Sequence, residues 1–266
     1  DLHIAVVLLA GTAILGDLIS LSASALVWWR TLIASIGIGL FLLVAGRLNM
    51  GWIRNQRKLY LLGGMVAIHW ICFFGSIKLA NASTALICFA TISLFTAIIE
   101  PWITGRKRET HEIVFGLMVI PGIVLIAGRA QGDVLMGIVL GITAALLLAI
   151  FSSYEKKWIM EVDPEHMTLL QMTGAWLTMC VWISGEKLFF GLDRFVPSGQ
   201  DFIYLLILGL VCTCVAWVLC TRAVRSVTAY DSIMVINLEP VYGIIMAFVI
   251  LKDFKELNTN FYIGAG

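Results

Sequence analysis

Apolar residues run almost unbroken along this chain, in long stretches separated by short loops that hold most of the charge. The stretches fall at residues 3–19, 23–45, 59–77, 82–103, 113–127, 134–154, 167–190, 202–221, 229–251 and from 261 onward. A helix needs ~20 apolar residues to cross a bilayer. The pattern therefore predicts nine complete membrane helices and the start of a tenth. Barrel strands would instead show ~10-residue segments of alternating polarity.

Two of these stretches read as one element written twice. Lys78 to Glu112 and Arg222 to Glu256 share a basic residue, a Thr-Ala pair (Thr84-Ala85, Thr228-Ala229), an apolar run and a charged exit (Arg108-Glu109, Lys252-Asp253). Repetition fixes architecture before any motif is considered. It predicts an all-α integral membrane fold of ten transmembrane helices, arranged as a 5+5 inverted repeat with the tenth helix truncated. Residues 1–130 form the first repeat and 131–266 the second. Five is odd, so the second copy enters the membrane in the opposite direction. Two inverted halves can expose a midplane site to each side in turn, which is how many transporters work.

Composition removes other classes. Sixty per cent of the residues are apolar and 13% charged, against about half and a quarter in soluble domains. A net charge of +1 leaves no basic field for nucleic acid. The expected partners are a small solute and the lipid bilayer. A monomer is the expectation, with an oligomer left open. The six cysteines all lie in apolar runs, as small hydrophobes rather than disulfide or metal ligands, and no cofactor is expected. Lys and Arg mark the cytoplasmic side. Arg47, Arg54, Arg57, Lys58, Arg106, Lys107, Arg108, Lys156, Lys157, Arg222 and Arg225 gather on one side when the N-terminus is cytoplasmic. Asp1 opens almost directly onto an apolar run and Gly266 cuts the last one short, so a longer native sequence is expected at both ends.

Trp29-Arg30, the run from Lys78 to Ala85, Asn237-Leu-Glu-Pro-Val-Tyr-Gly243, Leu251-Lys-Asp and Ile263-Gly264 occur in an order that resembles the drug/metabolite transporter superfamily. Its EamA-type ten-helix branch is the nearest likeness. The resemblance spans nearly the whole chain. It implies a central cavity between two halves and export of amino acids or related metabolites across a bacterial inner membrane. A nucleotide-sugar or drug-type carrier is the alternative within transport, and a non-transporting membrane scaffold is the alternative outside it. Under the 144-residue offset Thr96 stands where the second copy has Pro240.

Ionisable and polar groups inside the membrane are costly and so point to a pathway. The ninth helix is richest: Pro240 frees a carbonyl one turn earlier, and Asn237, Glu239 and Tyr242 surround it. Asn237 and Glu239 lie about 200° apart on a helix, so Asn237 and Tyr242 are placed on the solute and Glu239 is left open. His69 and Trp70 lie in mid-membrane, one a packed histidine or a proton relay, the other a cavity wall. Ser93, Thr96 and Glu100 share one face of the fourth helix, and Glu100 is either a cavity carboxylate or an end cap. Trp176 and Trp217 are wall candidates. Asp17 and Arg30 are gating or proton-linked candidates, or a structural pair with each other. Gly137, Gly141, Ala145, Ala149 and Ser153 make a small-residue packing stripe.

Catalysis finds no support. His111-Glu112 opens a metalloprotease motif, but Phe115 stands where its second histidine belongs, and no nucleophile elbow or phosphate loop occurs. The chain is expected to be a carrier and not an enzyme, with no metal site.

Overall fold

The computed structural model describes residues 2–48, 56–128, 130–189, 191, 194–226, 235–236 and 238–250. Among these residues the chain forms helices and short connections. Helix α1 is Leu2–Leu18, α2 Ala23–Val44 and α3 Arg57–Leu79. Helix α4 runs in two pieces, Ala82–Phe89 and Ile92–Thr104, and α5 likewise, Thr110–Leu117 and Ile120–Ala127. Then come α6 (Asp133–Trp158), α7 (Pro164–Phe189), α8 (Gly199–Leu206, continued to Ser226) and α9 (Glu239–Ile250). Among the described residues five rods are long and apolar enough to cross a bilayer: Ala23–Val44, Arg57–Leu79, Ala82–Thr104, Asp133–Glu161 and Gly199–Ala223.

Short polar signals punctuate the apolar runs. Ser22 caps α2 by accepting from the Ala25 amide, and Asn81 caps α4 by accepting from the Thr84 amide at 2.7 Å. Gly105 ends α4 at a φ of +78°, a left-handed position that costs glycine nothing.

Besides the break in α5, three features depart from straight rods. The apolar run of 82–103 breaks at Ala90 and Thr91, where Thr91 Oγ1 donates to the Cys88 carbonyl and Ser93 Oγ to that of Ala90. Those carbonyls also accept from the Thr91 and Ser93 amides three residues on, so the side chains add a second bond where the helix tightens. No break falls at Pro101, which sits inside the second piece. The second copy has its turn at Leu238, whose amide bonds back only three residues to the Val235 carbonyl before α9 begins. Thirdly, Ile207–Val215 of α8 is wound as a π-helix. There Thr213 Oγ1 donates to the Leu208 carbonyl, five residues back, at 2.7 Å.

Helix α3 is the hub, packed along both α6 and α7. Helix α7 also lies along α2; α6 lies along both pieces of α4; α1 packs on α8 and α9, and α2 on α8. The α3–α7 crossing is backbone on backbone. A Cβ added at Gly63 would overlap the Gln171 carbonyl, and one at Gly174 the Tyr60 carbonyl.

Ser20, in the α1–α2 connection, locks one end of the bundle to α8. Its amide and hydroxyl both donate to the Asp201 carboxylate at 2.8 Å, and Ser198 completes a capping box with the same side chain. Asp201 is buried. Asp201→Ala should therefore cost about 0.5–2 kcal/mol, since it removes a capping partner and the acceptor of both Ser20 bonds. A thermal melt in detergent reads this, and an unchanged melting temperature would show the lock to be idle.

Candidate functional site

The bundle encloses a cavity of about 90 Å³ on which seven rods converge. Leu9 and Thr12 enter it from α1, Arg30 from α2, and His69, Trp70 and Phe73 from α3. Both pieces of α4 reach it at their break, through Phe89 and Ile92. From the second half come Glu155 of α6, Trp217 of α8, and Ile236 and Glu239 on either side of the Leu238 turn. The break in α4 and the turn before α9 thus face one space. Irregular backbone is tolerated in a membrane where it lines such a cavity.

Arg30 dominates the chemistry. It is 1% exposed, its Cζ lies 3.9 Å over the Trp70 ring, and its Nε donates to Thr213 Oγ1 at 2.8 Å. Thr213 can accept that bond because the π turn takes its own hydroxyl proton to Leu208. The Arg30 NH1 group is buried with no hydrogen-bond partner among the described residues. A guanidinium held by stacking and one bond, with a donor left over, is oriented for an incoming carboxylate.

The carboxylates sit opposite. Glu239 is buried and within electrostatic reach of Arg30. Glu155 is held by a relay: Trp217 Nε1 donates to Gln171 Oε1 at 2.9 Å, and Gln171 Nε2 donates to Glu155 Oε1 at 3.2 Å. Indole is only a donor, so the contact fixes the amide and turns its NH2 toward Glu155. Arg30 and Gln171 are each the eighth residue of their helices, α2 and α7. His69 Nδ1 donates to the Ala144 carbonyl at 2.7 Å, leaving Nε2 as the other ring nitrogen. Trp70 meets Trp217 edge to face at 5.5 Å between centroids, and Phe151 lies 5.7 Å from Trp217, so aromatic side chains line one part of the wall.

Of the residues singled out in the sequence, Arg30, His69, Trp70, Trp217 and Glu239 line this cavity together. Arg30 donates to Thr213 rather than to Asp17, which is exposed at the Ser20 end, where its backbone carbonyl accepts from Lys78. Glu100, 1% exposed, is ion-paired to Arg106 at 3.2 Å and Lys156 at 3.4 Å. Ser93 patches the α4 break, and Thr96 is buried beyond the cavity wall. Trp176 lies 6.2 Å from Trp28, the rings tilted by 57°, in a separate aromatic cluster. Tyr242 has its hydroxyl 3.5 Å from His3 Nδ1. Asn237 lies outside the described residues.

Glu155 and Gln171 are additions. Glu155 precedes Lys156-Lys157 and reads in sequence as part of a charged loop. The signal was its spacing: Leu148, Phe151, Ser152 and Glu155 repeat at three and four, one face of α6.

Comparison with known proteins adds the lineage. A family model described as the EamA-like transporter family matches the chain twice, at residues 2–128 and 135–266. No curated protein matches. A solved crystal structure of a protein resembles the chain with a TM-score of 0.72 at 14% identity, over 98% of this chain and 90% of its own, which establishes a shared fold.

Proposed function

The chain belongs to the EamA-like transporter family, and from that premise we propose that it exports a small zwitterionic metabolite, an amino acid or a close relative, by alternating access at the central cavity. The integral membrane transporter class follows from the family; the substrate and mechanism are our reading. One observation carries it. The cavity sets a buried guanidinium with a free donor against two carboxylates, with aromatic walls between. A zwitterion satisfies all three: its carboxylate takes the Arg30 NH1, its ammonium faces Glu239 or Glu155, and its side chain lies on Trp70 and Trp217. The volume of about 90 Å³ is small beside the ~300–1,000 Å³ of drug-sized sites, which favours this over a nucleotide-sugar or drug-type carrier.

The packing supports ten helices in two inverted sets of five, divided near residue 130. Moving each helix five places on turns α3 against α6 into α8 against α1, α3 against α7 into α8 against α2, and α4 against α6 into α9 against α1, and it maps α2 against α7 onto itself. All of these contacts occur. Arg47, Arg57, Lys58, Arg106, Lys107, Arg108, Lys156, Lys157 and Arg222 lie toward the end opposite Ser20, which supports a cytoplasmic N-terminus. That end is closed by Glu165, which pairs with Arg47 and Arg222, and by Lys58 to Glu161 at 2.9 Å. Two fused halves supply their own symmetry, so a monomer suffices.

Counterflow in proteoliposomes with a panel of labelled amino acids, run with and without a pH gradient, is the test. Exchange of at least one amino acid and none of a nucleotide sugar is the expected result. Exchange of no solute overturns transport of this class. Rates indifferent to pH, together with active Asp17→Asn and Glu239→Gln variants, remove proton coupling.

A further inference from the structure

A second concavity lies apart from the central cavity and shares no residue with it. It is an open groove of about 610 Å³ at the Ser20 end, formed where the start of α2 meets α3, α6 and α7. Helices α3 and α7 touch backbone to backbone at Gly63 and Gly174, toward the other end, and the groove opens between them further along. Ile71, Leu140, Val181 and Trp182 make its walls apolar. Among them sits one charge, Glu186. Ser24 donates to its Oε1 at 3.1 Å, while Oε2 is buried with no hydrogen-bond partner, and no cation pairs with it among the described residues. A buried carboxylate oxygen without a donor is unstable unless something supplies one.

We propose that this groove binds the headgroup of a phospholipid bearing a primary amine, with the ammonium on Glu186 and an acyl chain along the apolar walls. The proposal rests only on the chain spanning a bilayer, not on the choice of solute. Three features select this occupant. The negative charge calls for a cation. The buried Oε2 calls for an N–H, which a trimethylated choline headgroup lacks. The groove opens onto the outer face of α7, where Val181 is 75% exposed and Leu177, Leu188 and Phe189 are exposed beside it, so the occupant arrives from lipid rather than from water. A serine headgroup brings its own carboxylate toward Glu186 and is disfavoured by like charge.

Native mass spectrometry of the purified protein decides the matter. Phosphatidylethanolamine, its mono- and dimethyl derivatives and phosphatidylcholine, all with matched acyl chains, are offered at equal concentration. Retention should fall along the methylation series, with ethanolamine favoured over choline by at least about tenfold, the worth of one charge-assisted hydrogen bond. In E186Q, which keeps the shape of the side chain, the preference should vanish while the melting temperature holds. Soluble phosphoethanolamine at millimolar concentration should not displace the lipid. Equal retention of the four lipids overturns the proposal, as does a preference that survives in E186Q. Displacement by the soluble amine overturns the lipid as occupant. The methylation series on the parent protein stands even if E186Q does not fold.

Discussion

Arg30→Met should abolish counterflow, by about 100-fold or more, and leave the protein folded. Removing one member of a buried, hydrogen-bonded charge set costs about 2–5 kcal/mol of binding, and this side chain holds the cavity's spare donor. Stability turns on Glu239. The guanidinium is desolvated, rests on Trp70 and has one bond, to Thr213. Replacing a whole buried ion pair by apolar groups is often neutral or stabilising, whereas removing one partner strands the other. The melting temperature should therefore fall in Arg30→Met, which leaves Glu239 without its nearby cation, and recover when Glu239→Gln is added. Arg30→Lys is the sharper variant: it keeps the charge but loses the planar fork and the stacking on Trp70, so a fall of about tenfold is expected. Transport rate beside a thermal melt separates the two effects. A methionine variant that carries solute at the parental rate would remove Arg30 from the binding site.

Gly63→Ala and Gly174→Ala should each destabilise the bundle by about 1–3 kcal/mol, and the leucine variants by more. Helix propensity points the other way, since alanine gains up to ~1 kcal/mol over glycine in a helix. The crossing decides the sign: each new methyl falls on a backbone carbonyl of the facing helix, which cannot turn aside as a side chain can. Neighbouring Gly64 is the control. Its added methyl would meet the Thr178 hydroxyl at 2.8 Å, a side chain able to rotate, and Gly64→Ala should be close to neutral. The Gly63 contact is with Gln171 itself, the residue that steadies Glu155. Pushing α7 outward should therefore slow transport as well as lower the melting temperature. Equal melting temperatures for the Gly63 and Gly64 variants would argue against a load at this crossing.

Hydrophobic runs place the rods among the described residues, because a bilayer punishes any spanning segment that is not a continuous apolar helix; the run expected from 261 onward and the start of that at 229–251 lie outside those residues. What they could not show was where a rod is interrupted. Ala90 and Thr91 carry no Gly or Pro, so the break in α4 looks like ordinary helix, and Pro101, the residue that breaks helices by reputation, lies in an unbroken stretch. The π winding in α8 is equally silent, since its residues are as apolar as their neighbours. Arg30, His69 and Trp70 stood out because polar or aromatic residues deep in an apolar run are conspicuous. Gln171 passed as one more residue of a long helix, and Glu155 was hidden by the two lysines after it. Where polar side chains patch a break or cap an end, as Ser93 and Glu100 do, sequence cannot tell them from cavity groups. The difference is one of rotation and depth.

The nine-residue π stretch makes the site sensitive to counting as well as to chemistry. Thr213 reaches Arg30 because the backbone before it is wound wide. Deleting a single residue between Ile207 and Thr213 would preserve the apolar run, the membrane span and every named side chain, yet swing Thr213 and all that follows by about 100°. Trp217, Cys220 and Thr221 would leave the cavity wall together. In this segment an insertion or deletion invisible to any hydropathy profile is a more drastic lesion than most substitutions.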